Sequence, residues 1–145
     1  MRGSMDRALD ISVSALNAER LRMELVSSNI ANVSTTRSLS GGPYRRKVAV
    51  FGESQLSFED QLNAAQKKLA GGGVELMNIM EDNAPFQKVY NPTHPDADKE
   101  GYVSLPNVNL ATEMVDMVSS SKMYEANVTA YNATKKMMQD TLQIQ

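Results

Sequence analysis

The chain has 145 residues, of which 41% are hydrophobic and 22% charged, and its formal net charge is −2. A chain of this length forms one domain, or one small domain with long appendages. Its basic residues occur in small groups diluted by acids, so nucleic acid is not an expected partner. Because cysteine is absent, disulfides and thiolate metal sites are excluded. No apolar run is long enough for a secretory signal or a membrane span.

A long amphipathic helix is predicted near the start of the chain, from about Asp6 to Ala31. Apolar residues recur there at spacings of three, four and seven, as on one helix face. This face consists of Leu9, Val13, Leu16, Met23 and Ile30. Residues 1–4 are interpreted as a vector-derived leader, with Met5 as the native start. The N-terminal unit is therefore expected to span residues 5–36.

The stretch Asn29-Ile30-Ala31-Asn32 ends this helix. Asparagine tolerates the left-handed backbone of a helix end, and its amide can bond the last carbonyl groups. That role explains one asparagine but not both. We expect the pair to have two roles, ending the helix and bonding backbone where the chain leaves it, because buried amides must be satisfied.

Residues 37–108 are predicted to form a small β-rich insert. Gly41-Gly42-Pro43 is typical of a turn, and the last two strands are expected to form a hairpin. The predicted strands cover residues 44–51, 74–80, 86–90 and 102–105. A short amphipathic helix is predicted over residues 57–70, with Ser57 as its cap.

A second long helix is predicted over residues 109–145. Asn109 is a suitable N-cap, and Glu113 and Asp116 lie in the first turns, where the helix dipole favours acids. Two rows repeat every seven residues, which is a coiled-coil pattern with polar defects. The first row is Leu110, Met117, Tyr124, Tyr131 and Met138, and the second is Met114, Ser121, Val128, Lys135 and Leu142. The predicted fold is mainly α, an antiparallel coiled-coil stalk of two terminal helices with a small β-rich insert between them.

A further row of mostly small residues lies outside these two rows. It consists of Ala111, Val115, Val118, Ala126, Ala130, Ala133 and Met137. One antiparallel partner cannot cover a helix that is apolar on several sides, and the chain supplies only one other long helix. We therefore expect association with further chains. The predicted assembly interface is Leu9, Leu16, Met23, Ile30, Leu110, Met114, Met117, Tyr124, Val128, Tyr131, Met138 and Leu142.

The best candidate for chemistry is the stretch from His94 to Asp98, which offers an imidazole and the carboxylates of Asp96 and Asp98. These groups suit a hard metal or acid–base chemistry. However, His94 is the only histidine, and a carboxylate that bonds backbone amides in a proline-rich turn is the simpler explanation. No convincing active site, cofactor or metal site is expected.

Four blocks of the sequence, in order, resemble the flagellar rod and hook axial proteins. "SALNAERLRMELVSSNIAN" matches the N-terminal signature of that family, and "GYVSLPNVNLATEMVDMVSSSKMYEANV" begins the matching C-terminal half. "GGPYRRKVAVF" and "YNPTHPDADKEGYV" are closer to the small proximal-rod member than to its larger relatives. The motif residues are Asn29, Ile30, Ala31, Asn32, Tyr102, Pro106, Asn107, Asn109, Glu113, Met114, Tyr124, Glu125, Ala126 and Asn127. The departure is residues 53–73, where the family is variable.

The resemblance implies a structural subunit of the flagellar basal-body rod, without catalysis or cofactor. It implies export through the flagellar type III apparatus without a cleaved signal. It also implies polymerisation in the periplasm with other rod proteins into a hollow shaft that transmits torque and passes exported subunits.

Two alternatives from other classes stay open. A generic helical adaptor would bind one partner helix and form a monomer or dimer whose size does not grow with concentration. A small metal-dependent hydrolase would use His94, Asp96 and Asp98. Neither alternative explains the row of small residues.

Overall fold

The computed structural model describes residues 2–38, 41–54 and 72–143. Its elements in chain order are α1 (Arg2–Ala31), β1 (Lys47–Glu53), β2 (Val74–Glu81), β3 (Gln87–Tyr90), β4 (Tyr102–Leu105) and α2 (Leu110–Gln143). Two long helices with a small two-sheet antiparallel insert between them confirm the predicted architecture. The helix predicted over residues 57–70 lies outside the described residues.

The two long helices end close to where the sequence predicts. α1 ends at Ala31 and begins at Arg2, four residues before the predicted start. Asn109 caps α2 as predicted, because its Oδ1 accepts hydrogen bonds from the amides of Ala111 at 3.0 Å and Thr112 at 3.3 Å. At 1.5 Å per residue, α1 is about 45 Å long and α2 about 50 Å.

The strands form two separate hairpins. β1 pairs with β2, from Lys47 opposite Glu81 to Glu53 opposite Val74, with an irregularity after Val50. β1 begins three residues later than predicted, because Tyr44 bonds to Thr35 and Asn29. β3 pairs with β4, from Gln87 opposite Leu105 to Tyr90 opposite Tyr102, as predicted.

α1 lies in the middle of the molecule. Among the described helices and strands, α1 contacts α2, β1 and β2, whereas α2 contacts α1 alone. Asn29 near the end of α1 bonds Glu113 in the first turn of α2, and α2 is partly covered as far as Met138. The two helices therefore run in opposite directions. Their packing as a coiled coil stays a prediction.

The apolar core is very small. Of the described residues, only four hydrophobic side chains are buried, and these are Val26, Tyr44, Val103 and Val108. Nineteen large hydrophobic side chains are exposed, most of them on α2, β1 and β2. Burial is concentrated at the junction where the end of α1, the start of β1 and the start of α2 meet.

Candidate functional site

Asn29 is the centre of this junction and is 1% exposed. Its Nδ2 donates to the Lys47 carbonyl and to Glu113 Oε2, both at 3.0 Å. Its Oδ1 accepts from the Lys47 amide and the Tyr44 hydroxyl, both at 2.9 Å. A side-chain amide has two donors and two acceptor positions, so all four are used. Asn29 therefore joins the first strand and both helices through one amide group.

Glu113 is the second buried member of the junction and is 0% exposed. Its Oε1 lies 2.5 Å from Nε of Arg46, and its Oε2 accepts the bond from Asn29. The Arg46 guanidinium also lies 3.2 Å from Asp116 Oδ2 and 3.8 Å from Asp82 Oδ2. A buried carboxylate is tolerated only when it is paired and hydrogen-bonded. Arg46 and Asn29 meet both conditions for Glu113.

Asn107 attaches the second hairpin to the same junction. Its Oδ1 accepts from the Arg46 amide at 2.9 Å, and its Nδ2 donates to the carbonyls of Asp82 at 2.9 Å and Ala84 at 3.3 Å. The neighbouring Pro106 is fully buried. Val103 and Val108, which precede and follow it in the sequence, are 3% and 4% exposed. The segment between β4 and α2 is thereby fixed before α2 begins.

Asn32 has the other role expected for the pair of asparagines. Its Nδ2 donates to the Ser28 carbonyl at 2.8 Å, and its Oδ1 accepts from the Thr35 hydroxyl at 3.1 Å. Asn32 thus closes the last turn of α1, whereas Asn29 bonds the strand and α2. The expectation of two roles holds, with each role assigned to a different residue.

The covered face of α2 differs from the two predicted rows. Met117, Tyr124, Tyr131 and Met138 of the first row are partly covered, as predicted for residues facing α1. Leu110 of that row is 40% exposed. The second covered row is Glu113, Ser120, Asn127 and Thr134, spaced seven residues apart. α1 therefore packs against one apolar row and one polar row.

Members of the predicted second row lie at the edge of this face or outside it. Met114 and Leu142 are 52% and 51% exposed, and Val128 is partly covered. On α1, the predicted residues Leu9, Leu16, Met23 and Ile30 are all partly covered. As an interface between chains, this set of residues stays a prediction.

The row of small residues is entirely exposed on α2. Val115 and Val118 are 68% and 61% exposed, and Met137 is 54% exposed. Ala111, Ala126, Ala130 and Ala133 are also exposed. A long apolar face without a partner marks an interaction surface.

In the turn from His94 to Asp98, the side chains of His94 and Asp98 accept hydrogen bonds from nearby backbone amides. Asp98 Oδ1 accepts from the amides of Tyr102 and Glu100, both at 2.9 Å, and the Tyr102 amide is the main cause that lowers the pKa of Asp98. His94 Nδ1 accepts from the Asp96 amide at 3.1 Å, and Asp96 accepts from Thr36 at 2.8 Å. Within the described ranges, no group of three acidic, histidine or cysteine side chains is placed to hold a metal ion. The simpler structural explanation of this turn is therefore favoured.

Three residues of the junction were not singled out as functional from the sequence. These are Tyr44, Arg46 and Asp82, each more than twenty residues from Glu113 in the chain. Arg46 lies in the basic group Arg45-Arg46-Lys47, which gives no sign that only its middle member reaches α2. The sequence carries no signal for these partners, because the burial of Glu113, which requires a cation that its own helix face lacks, is visible only in the fold.

Two protein-family models match the two ends of the chain. Residues 9–37 match the model of the family described as flagella basal body rod protein, and residues 99–144 match that described as flagellar basal body rod FlgEFG protein C-terminal. The chain is 50% identical to a flagellar basal-body rod protein FlgC of Bacillus subtilis, covering 94% of this chain and 95% of that one. It is 42% identical to the FlgC proteins of Borreliella burgdorferi, over 94% of this chain and 95% of that one, and of Escherichia coli O6:H1, over 92% of each.

Proposed function

Because the chain belongs to the FlgC family of flagellar basal-body rod proteins, we propose that it is a structural subunit that polymerises into the proximal rod. Proteins of this family are structural parts of the basal body and not enzymes. The chain polymerises through its terminal helices with copies of itself and with other rod proteins. The resulting hollow shaft transmits torque and passes exported subunits.

The observation that carries this proposal is the imbalance between buried and exposed apolar residues. Four hydrophobic side chains are buried among the described residues, and nineteen large ones are exposed. Complete burial of a fully exposed side chain of this kind contributes about 1.5–3 kcal/mol, and these side chains, which are 36–69% exposed, contribute a part of that when they become buried. A single copy leaves this stabilisation unused, and contacts between copies recover it. Contacts that use different surfaces on the two partners produce an open helical assembly when the rotation between copies does not close into a ring.

The route to the rod is part of the same proposal. The chain leaves the cytoplasm through the flagellar type III export apparatus without a cleaved signal, and it assembles in the periplasm. The support for this route is the similarity of both terminal blocks to rod proteins. No helix in the described part of the chain is long and apolar enough to cross a membrane.

Val118 gives the cleanest test of polymerisation, because it is 61% exposed and lies outside the two rows of α2 that α1 covers. Val118→Asp is expected to leave the circular dichroism and melting of the monomer unchanged and to prevent incorporation into isolated basal bodies, because burying an unpaired carboxylate is costly. The matched control is Val118→Thr, which keeps the shape without the charge and is expected to incorporate. Normal rods from Val118→Asp would contradict the proposed interface.

Tyr124→Asp and Met117→Asp are also expected to prevent incorporation. Both residues are partly covered by α1, so these variants will also destabilise the single chain and are the weaker test. Sedimentation at rising concentration separates the alternatives. A helical adaptor stays a monomer or dimer, whereas a rod subunit forms larger species.

A further inference from the structure

The β1–β2 hairpin has an outer face that points away from α1. Phe51 lies on the inner face, because the Arg22 guanidinium of α1 is 5.3 Å from its ring centroid. Gly52 points the opposite way, and a Cβ there would collide with the Met77 sulfur, so Met77 is on the outer face. The register shift after Val50 leaves Met77 without a partner in β1. This irregularity makes Met77 protrude, and it is 69% exposed.

More apolar side chains surround Met77 on this outer face. Alternation along β1 places Val48 and Val50 on the same side as Gly52, and Met80 lies directly opposite Val48. These three side chains are 36%, 38% and 52% exposed. Glu75 lies opposite Gly52 on the same face, and no ion pair involves it within the described residues. Asn78 lies opposite Val50 on this face as well, so the outer face of the hairpin is mostly apolar, with one amide and an acidic border.

α2 has a complementary outer face that points away from α1. Val115 is two residues beyond the buried Glu113, about 200° around the helix, so it points away from α1. Val118, Lys122 and Ala126 follow on the same face. Lys122 is 76% exposed, and among the described residues its one ion pair is a 3.6 Å contact with the exposed Glu125. An exposed pair of this kind contributes little, so Lys122 is available to another carboxylate.

We propose that the outer face of the β1–β2 hairpin of one copy packs on the outer face of α2 of a second copy, an inference that rests on the proposed rod function. The two faces belong to different elements of one copy, so each copy can offer the hairpin to one neighbour and α2 to the other, and in an open rod the contact repeats along the assembly. Long methionine side chains on the hairpin meet valine and alanine on α2, and an acidic border meets a lysine.

The spacing of the charges supports this pairing. Glu75 precedes Met77 by two strand residues, which is about 7 Å. Lys122 follows Val118 by four helix residues, which is about 6 Å. When Met77 lies on Val118, Glu75 can therefore reach Lys122. The pairs expected to meet across the contact are Met77 with Val118 and Glu75 with Lys122.

Cysteine crosslinking tests the contact directly, because the chain has no cysteine of its own. In isolated basal bodies, the double variant Met77→Cys and Val118→Cys is expected to give a ladder of oxidised multimers on a non-reducing gel. Each single variant is expected to stay monomeric, because different surfaces meet. Met77→Cys with Met123→Cys is the matched control and is expected to give no ladder. Met123 is 55% exposed but lies about 140° around α2 from Val118.

A charge exchange gives a second, independent readout. Glu75→Lys and Lys122→Glu are each expected to lower incorporation, and the variant carrying both exchanges is expected to restore it. A missing Met77–Val118 ladder in normal rods, a Val118→Cys dimer, or a failure of restoration would overturn the contact. Where the cysteine variants do not incorporate, the charge exchange decides. Absence of the unmodified chain from basal bodies would instead remove the proposed function itself.

Discussion

The junction includes the first turn of α2, yet the junction and the outer face of α2 follow opposite rules. At the junction, Glu113 is fully buried, and Asn29 uses every hydrogen-bonding position of its side chain. Two and five residues further along α2, Val115 and Val118 are more than 60% exposed. Polar residues are thus buried where the single chain is fixed, and apolar residues are exposed where we propose that further chains bind.

This difference explains why the motif residues do not mark a catalytic site. Asn29, Asn107 and Glu113 hold α1, both hairpins and α2 in one arrangement, because each bonds groups from other segments. Buried polar contacts of this kind are directional, whereas apolar packing tolerates several arrangements. The motif therefore specifies the geometry of the subunit, and we propose that the exposed apolar faces supply the free energy of assembly.

The largest predicted effect is the loss of Glu113. Glu113→Ala removes one acceptor of the Asn29 amide and the carboxylate nearest to the Arg46 guanidinium. It is therefore expected to destabilise the monomer by about 3–5 kcal/mol. Urea unfolding followed by circular dichroism measures this. The control is Glu125→Ala on the same helix, whose ion pair is exposed and should contribute less than about 1 kcal/mol. Equal effects of the two changes would contradict the importance of the junction.

The two asparagines give the next comparison. Asn29→Ala is expected to lower the free energy of unfolding by several times as much as Asn32→Ala. It removes four hydrogen bonds and leaves buried groups unsatisfied, which together cost about 3 kcal/mol. Asn32→Ala removes two bonds at a partly exposed helix end, which together contribute about 1 kcal/mol. Thermal melts of both variants decide the order, and a greater loss from Asn32→Ala would reverse the assignment of roles.

Ser120 tests the polar row between the helices. Its hydroxyl is buried and has no hydrogen-bond partner in the described part of the chain. Ser120→Ala is expected to stabilise the monomer by about 1 kcal/mol, because an unsatisfied buried hydroxyl is removed. Ser121→Ala, one position further and partly exposed, is the control and should change little. A destabilised Ser120→Ala protein would show that the hydroxyl has a favourable contact.

Asp98 gives the smallest effect and the one that depends on pH. Its pKa is lower in the folded chain than the ordinary value of 3.8, chiefly because the Tyr102 amide bonds the carboxylate. The carboxylate therefore stabilises the turn above pH 3.8, and this contribution is lost as pH falls through the lowered pKa. Amide exchange at Tyr102 should speed up in that acidic range. In Asp98→Asn, this increase in the exchange rate of the Tyr102 amide at acidic pH should be absent. An unchanged increase would contradict the assignment of the lowered pKa to the Tyr102 hydrogen bond.

Local patterns in the sequence were enough to predict the long helices and the strands and to identify the family. The period of seven along α2, the cap at Asn109 and the alternation before and after the proline-rich turn all depend on residues close together in the chain. These local patterns predicted both long helices and the hairpin that β3 and β4 form. The row of small apolar residues outside the two heptad rows of α2 indicated that apolar surface exceeds what one copy can bury.

Only the tertiary structure decided which residues face each other. α2 has more than two rows at heptad spacing, so its sequence could not show that α1 covers Glu113, Ser120, Asn127 and Thr134 in place of Met114 and Leu142. Arg46 bonds Glu113 across 67 positions, and Asn29 does so across 84. Such pairing depends on the whole chain path, because the cost of burying a charge is removed by whichever partner the fold brings near it.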